Sequence, residues 1–522
     1  MKVRLMHSRA DFEIDAPLPA NVDDLIDDLE LDRLLGTMAA GDTFLFDVAR
    51  TGLFTGPTDP DEIRYRQDIV QDCLGHAHVA RGIYALAVEA LEGERKIYRS
   101  ILHHPSYAVS RSVEVLQLFV DVLHRLRDIA DHEGPGFRSR GFTTLFATLQ
   151  EQLDDAYFAT VEAHLKRLRF QGGILVSADL GRGNKGSHYT LRMPADDDRH
   201  WFEKLFGLHH STFTITIPER DQAGFSALTE LKDRGLNDVA NALSQSTDHI
   251  LSFFDLLRCE LGFYLGCLNL HDALDQAQRP TCFPQVQGEG QVGFSCRGLY
   301  DVCLALSIDG PVVGNDVDAS GKHLVMITGA NQGGKSTFLR SLGLAQLMMQ
   351  SGMFVAAETF TAPVTSGLFT HYKREEDKSM SSGKLDEELN RMSTIVDQLS
   401  PGCLVLCNES FAATNEREGS QIARQILRAL LESGVRVLYV THLYDLAHGL
   451  HQQGNDHALF LRAERREDGQ RTYRLVAGEP LPTSFGQDVY QRIFSAPPNG
   501  RQTADLRGDV VQGGGVQPGP SP

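Results

Sequence analysis

The sequence predicts a chain in two parts: a mainly α-helical region with a small β insertion, then an α/β domain built on a parallel sheet. Three observations carry this expectation. Apolar residues in the first half recur at helical spacing, the period shortens between residues 173 and 217, and short apolar runs alternate with loops and helices in the second half. The expected boundaries are 1–297 for the helical region, with the insertion around 173–217, and 298–495 for the α/β domain. Residues 496–522, rich in Gly, Pro and Gln, are expected to be a disordered tail.

Val109, Val113, Leu116, Val120 and Leu123 alternate four- and three-residue steps, which puts them on one stripe of a helix. The stretch from Asp59 to Leu102 reads similarly, with Asp59-Pro60 as a helix start, and a third helix is expected from about Phe142 to Leu168. The segments 173–179 and 188–192 read as two short strands around a glycine-rich turn, and Phe213–Pro218 alternates like another strand. Helical pattern resumes from Ser226 to about Ala273. Beyond Gly298, the runs Leu324–Thr328, Cys403–Cys407 and Val435–Val440 suit parallel strands buried on both faces.

The 522 residues allow several domains, and a hydrophobic content of 42% is ordinary for a globular protein. No run of apolar residues is long enough for a membrane helix, and the first residues lack the apolar core of a secretory signal. The eight cysteines form no CxxC pair, as expected of reduced thiols rather than a disulfide or zinc framework. A cytoplasmic location is the expectation. The net charge of −19 limits any nucleic-acid contact to a local basic patch, because such affinity comes largely from phosphate neutralisation.

The strongest motif is Gly329-Ala330-Asn331-Gln332-Gly333-Gly334-Lys335-Ser336-Thr337, a complete Walker A sequence between the strand 324–328 and the helical run Phe338–Met349. Glycines let successive N–H groups turn inward toward phosphate oxygens, helped by the helix N-terminus. Lys335 is placed to reach the β- and γ-phosphates of ATP, and the Ser336 hydroxyl to ligate Mg²⁺. Residues 404–409 fill the Walker B position, with Asn408 where an aspartate is usual. Its amide can accept a hydrogen bond but brings no charge to a metal, so Asn408 and Glu409 complete the expected metal set. Glu409 is the natural group to orient the attacking water, against the plainer reading of an exposed strand-end carboxylate. His442, after Thr441 at the next strand's end, lies where it can sense a γ-phosphate. Taken alone it would read as an ordinary loop histidine.

With these residues in hand, the chain resembles the MutS family of ABC-type ATPases. The resemblance runs through Asn315-Asp316, TGANQGGKST at 328–337, the helix ending at Glu358, SSGKLDEELNRM at 381–392, NESFAATNEREG at 408–419, Thr441-His442 and SFG at 484–486. In the first half, EIRYRQ at 62–67 is the nearest local similarity. The resemblance implies an α/β P-loop NTPase (ABC-type) domain preceded by a helical core/lever region, with the β insertion in the position of a clamp. It also implies a homodimer in which Ser381, Ser382 and Gly383 contact the partner's γ-phosphate. Three departures stand out: Asn408, the unusual form of the 381–388 segment, and the lack of any mismatch-reading domain, no Phe-x-Glu occurring in the chain. Nor does anything resemble a C-terminal nuclease module.

Function classes remain open at this point. A dimeric ATP-switched clamp on DNA, in repair or recombination, is favoured by the resemblance and by the basic clusters Arg138/Arg140 and Arg182/Lys185/His188/Arg192, which could equally be solvated surface. The acidic balance favours an ATP-driven switch acting on protein partners. A transporter subunit shares the ABC-type core, but the helical region argues against it.

Overall fold

In the computed structural model the described residues are 1–97, 104–170, 173–184, 186–192, 221–288, 290–374, 383–466 and 470–482. The helical half begins with α1 (Val22–Leu29), α2 (Leu31–Ala39), α3 (Thr43–Phe54), α4 (Pro60–Gly75), α5 (Ala77–Lys96) and α6 (Pro105–His132). The Asp59 carboxylate accepts from the Asp61 N–H and Pro60 opens α4, as the Asp-Pro pair predicts. The segment expected as one helical stretch breaks at His76, whose ring stacks 4.6 Å from Phe137 and bonds to the Gly136 carbonyl oxygen. Val109, Val113, Leu116, Val120 and Leu123 are all buried on α6.

The helix expected over 142–168 is instead two, α7 (Arg140–Gln152) and α8 (Asp155–Leu168). Asp154 breaks it by accepting from the Tyr157 N–H, a capping bond that favours a new N-terminus over continuation. The antiparallel pair β1 (Leu175–Leu180) and β2 (Gly186–Arg192) follows. The strand expected at Phe213–Pro218 lies outside the described residues. Helix α9 (Gln222–Gln276) then runs 55 residues, about 80 Å at 1.5 Å per residue, and packs against α2, α3, α5 and α6.

The second half contains β3 (Gln285–Gln287), β4 (Ser295–Leu299), α10 (Val302–Ala305), β5 (Asn315–Asp318), β6 (Leu324–Thr328), α11 (Lys335–Gln350), β7 (Thr359–Pro363) and β8 (Leu368–Tyr372). These are followed by α12 (Lys384–Val396), β9 (Leu404–Asn408), α13 (Glu416–Glu432), β10 (Arg436–Val440), α14 (Tyr444–Gln452), β11 (Ala458–Arg465) and β12 (Arg471–Ala477). A six-stranded sheet has the order β12-β11-β6-β10-β9-β8, parallel except for β12. The three predicted strands β6, β9 and β10 are adjacent in it. A four-stranded mixed sheet, β3-β7-β4-β5, lies beside it; it was not foreseen.

The two halves share one apolar cluster. Leu29, Leu34 and Leu53 belong to the same core as Leu339, Leu342 and Met348 of α11. Gly343 lies at a tight point, where an added Cβ would come 2.7 Å from Leu406 of the sheet and 2.9 Å from Leu29 of α1. Polar ties accompany the packing. Arg340 of α11 pairs with Glu30 and with Asp301, and the buried Arg66 donates to the carbonyl oxygens of Met6 at 2.7 Å and Ser351 at 3.4 Å, at the end of α11. The 62–67 motif therefore joins the helical half to the far end of the helix that follows the glycine loop.

Candidate nucleotide site

Parallel strands end together, and the loops after β6, β10 and β9 meet at one edge of the sheet, where α/β folds place ligands. The loop after β6 turns at Gly329 (φ +110) and Gly334 (φ +87), backbone states that a Cβ disfavours. Gly333 is there for a second reason: a Cβ on it would approach the Ala463 Cβ to 2.6 Å and the Ala330 carbonyl oxygen to 2.8 Å. Ala330 and Gly333 are buried, whereas Asn331 and Gln332 are exposed at the loop's tip. Lys335, Ser336 and Thr337 form the first turn of α11, whose free N–H groups face the loop.

Lys335 is 5% exposed and folds back so that Nζ donates to the carbonyl oxygens of Gly329 at 3.1 Å and Ala330 at 3.0 Å. Burial pushes its pKa down to about 8, against the opposing pull of Glu409. The Ser336 hydroxyl donates to Asn408 Oδ1 at 2.8 Å, joining the loop to the end of β9. Glu409 Oε1 lies 2.9 Å from His442 Nε2, and that hydrogen bond holds its carboxyl below the usual range. Thr441 N–H is fixed by the Ile327 carbonyl oxygen. The predicted residues 329–337, 408, 409 and 442 thus converge. Gly383 does not join them: it caps α12, and a Cβ there would meet nothing within 4 Å among the described residues. Ser381 and Ser382 lie outside the described residues.

Sequence reasoning missed the hairpin β11–β12 that covers the loop. Ala463 packs on Gly333, Tyr473 on Gly334, and Arg471 Nε donates to the Asn331 carbonyl oxygen at 3.3 Å. Asn315 secures this hairpin, accepting from the Leu475 N–H at 2.7 Å and donating to the Tyr473 carbonyl oxygen at 3.3 Å. Asn315 belongs to the Asn315-Asp316 motif, but nothing in the sequence ties that motif to residues 458–477.

A glycine loop that leaves no room for side chains, a buried cation hydrogen-bonded to two neutral carbonyls, and a hydroxyl–amide pair beside a carboxylate fit a nucleotide phosphate with Mg²⁺. The fold and this edge define a P-loop nucleotide-binding domain carried on a helical region.

Sequence comparison agrees. Residues 58–277 match the family described as the MutS2 N-terminal domain, and 325–499 match MutS domain V. The chain belongs to the MutS family. It is 35% identical over 174 residues to Endonuclease MutS2 of Lacticaseibacillus casei, a match covering 32% of this chain and 22% of the relative. With MutS protein homolog 4 of Homo sapiens it shares 28% over 210 residues, 39% of this chain and 22% of that protein. The match to DNA mismatch repair protein MutS of Lactobacillus helveticus is longer, 25% over 433 residues, covering 74% of this chain and 49% of the relative. The chain therefore spans about half, or less, of the curated relatives it matches.

Proposed function

We propose that the chain binds ATP with Mg²⁺ at Gly329–Thr337 and hydrolyses it, as an ABC-type ATPase whose two copies complete each other's sites. The observation that supports this best is the meeting of Lys335, the Ser336–Asn408 pair and the Glu409–His442 pair at the ends of three adjacent strands. Inward N–H groups and the Lys335 ammonium hold phosphate oxygens, while Ser336, Asn408 and Glu409 supply the metal's oxygen donors. Mg²⁺, when bound, offsets the phosphate charge. Glu409, ionised at neutral pH, accepts a hydrogen bond from the attacking water, and His442 fixes its direction. Ser381, Ser382 and Gly383 act on the γ-phosphate held by the second copy.

The helical half is then the core and lever, and the β1–β2 hairpin the clamp, of a DNA-handling protein in repair or recombination. The relatives' names support this reading, as do the exposed Arg138, Arg182 and Arg192, although Arg140 lies over the Tyr65 ring and His188 sits 3.4 Å from Asp179. The net charge of −19 favours the second reading, a switch that acts on protein partners without nucleic acid.

The deciding experiment measures ATP turnover of wild type and Glu409→Gln against branched, mismatched and homoduplex DNA over a range of salt. ATP turnover that one DNA form stimulates, and that Glu409→Gln abolishes while ATP still binds, supports the DNA reading. Turnover indifferent to every DNA, with partners recovered after nuclease treatment, supports the protein switch. Normal turnover in Glu409→Gln would place the water-activating group elsewhere.

A further inference from the structure

The residues just after Glu409 adopt an unusual turn. Glu409 (φ +56) and Phe411 (φ +63) are both left-handed, a backbone state with a steric cost for any residue that carries a Cβ. They flank Ser410, which is fully buried. Such a turn persists only when its surroundings over-determine it, and here they do. The Glu409 N–H donates to the Val440 carbonyl oxygen at 2.9 Å, and the Tyr439 hydroxyl donates to the Ser410 carbonyl oxygen at 2.7 Å.

The remaining restraints come from one side chain on β8. His371 is fully buried, stacks 5.3 Å from the Phe411 ring, and has both ring nitrogens engaged. Nε2 lies 2.9 Å from the Glu388 carbonyl oxygen, which can only accept, so Nε2 carries the proton. Nδ1 is then an acceptor, 2.7 Å from the Ser410 hydroxyl, whose proton is shared with the His371 carbonyl oxygen at 2.8 Å. Burial pushes the ring's pKa down to about 4, consistent with this neutral form. The Glu388 carboxyl is on the same side, where the Phe411 backbone favours its charged form against burial. Glu388 belongs to α12, the helix that Gly383 caps.

We propose that His371 is a positioning residue for ATP hydrolysis: through Ser410 it fixes the turn that aims Glu409, and through Glu388 it anchors that turn to α12. The inference rests on the ATPase reading above. The polar and ring contacts of His371 go to Ser410, Glu388 and Phe411 and not to Glu409, so its effect is on the rate of the chemical step and not on nucleotide affinity.

The test measures kcat and, separately, equilibrium binding of a non-hydrolysable ATP analogue for His371→Phe, His371→Asn and Ser410→Ala. His371→Phe keeps a ring to stack on Phe411 but loses both hydrogen bonds. The expected result is a kcat at least tenfold lower with analogue affinity within twofold of wild type. His371→Asn, whose amide can reach Ser410 in place of Nδ1, should regain most of the lost rate. Should His371→Phe fail to fold, Ser410→Ala, which adds no bulk, should show the same split between kcat and affinity. A Phe or Ala variant with unchanged kcat, or a parallel loss of affinity and rate, overturns the proposal. Glu409→Gln separates the two layers. If it abolishes turnover while the His371 and Ser410 variants do not, only this inference fails; if wild type shows no turnover, the ATPase reading fails and this falls with it.

Discussion

Lys335 is the residue whose chemistry depends most on its surroundings. Its ammonium is buried against two neutral carbonyls and has a pKa of about 8 before any phosphate arrives. Phosphate charge favours the ammonium, so the pKa in the ATP complex is higher than in the free protein. Binding is then strong below the free pKa and weakens as pH rises through it, by about tenfold per pH unit at the limit. Titration calorimetry between about pH 6.5 and 9.5 should show a flat ATP Kd on the acid side and a rising one above about 8. Lys335→Ala should abolish binding at every pH, and a wild-type Kd flat to the alkaline end would mean that the lysine stays charged throughout. Asn408 poses the complementary question. Its amide already accepts from Ser336, so Asn408→Asp preserves the contact and adds one negative charge beside the metal donors. The free Mg²⁺ giving half-maximal turnover should fall by roughly three- to tenfold, on the order of 1 kcal/mol. An unchanged requirement would show that Glu409 alone supplies the charge.

At the scale of elements, Glu260 on α9 shows how a single buried group organises a segment. Its carboxylate accepts from the N–H groups of Leu5, Met6 at 3.0 Å and Phe12 at 3.2 Å, stapling the first residues to the long helix. Burial raises its pKa to about 7 from a reference of 4.5, so the folded state holds the proton more tightly than the unfolded chain. Its contribution to stability is complete below about pH 4.5 and is lost as pH rises through 7, roughly 3 kcal/mol in all. Glu260→Gln should remove that slope. Urea unfolding at pH 5 and pH 8 should show wild type losing stability relative to the variant by roughly that amount, whereas parallel losses in both proteins would assign the pH dependence to other groups. This staple was invisible in the sequence, since nothing local links Glu260 to Leu5. The same limit explains the rest. Strands β6, β9 and β10 were legible within about a residue because buried parallel strands are short, uninterrupted apolar runs. The β3-β7-β4-β5 sheet was not, because Gln285 pairs with Thr361 and half of its residues are polar. Within the site, the Walker residues were readable because the chemistry needs them consecutive. Ala463, Tyr473 and His371 reach it only through tertiary packing.

At the scale of the whole molecule, the composite-site reading turns on Gly383. It caps α12 with φ −67 and ψ +151, a conformation open to any residue, and a Cβ there would meet nothing within 4 Å among the described residues. Aspartate is a better N-cap than glycine, by a few tenths of a kcal/mol, so Gly383→Asp should fold normally and melt at the same temperature or slightly higher. In a dimer whose loops close on each other's nucleotide, the same carboxylate faces the partner's γ-phosphate, and turnover should fall at least tenfold. Lys335→Ala is inactive for the opposite reason, having no nucleotide of its own to hydrolyse. Mixing the two inactive proteins then separates the models. A mixed dimer pairs the intact Lys335 of one copy with the intact Gly383 of the other, which rebuilds one site of the two. At equal concentrations half the dimers are mixed, so activity should return to about a quarter of wild type at the same total subunit concentration. Sites complete within one chain would give no recovery on mixing at any ratio, because each copy would still carry its own defect.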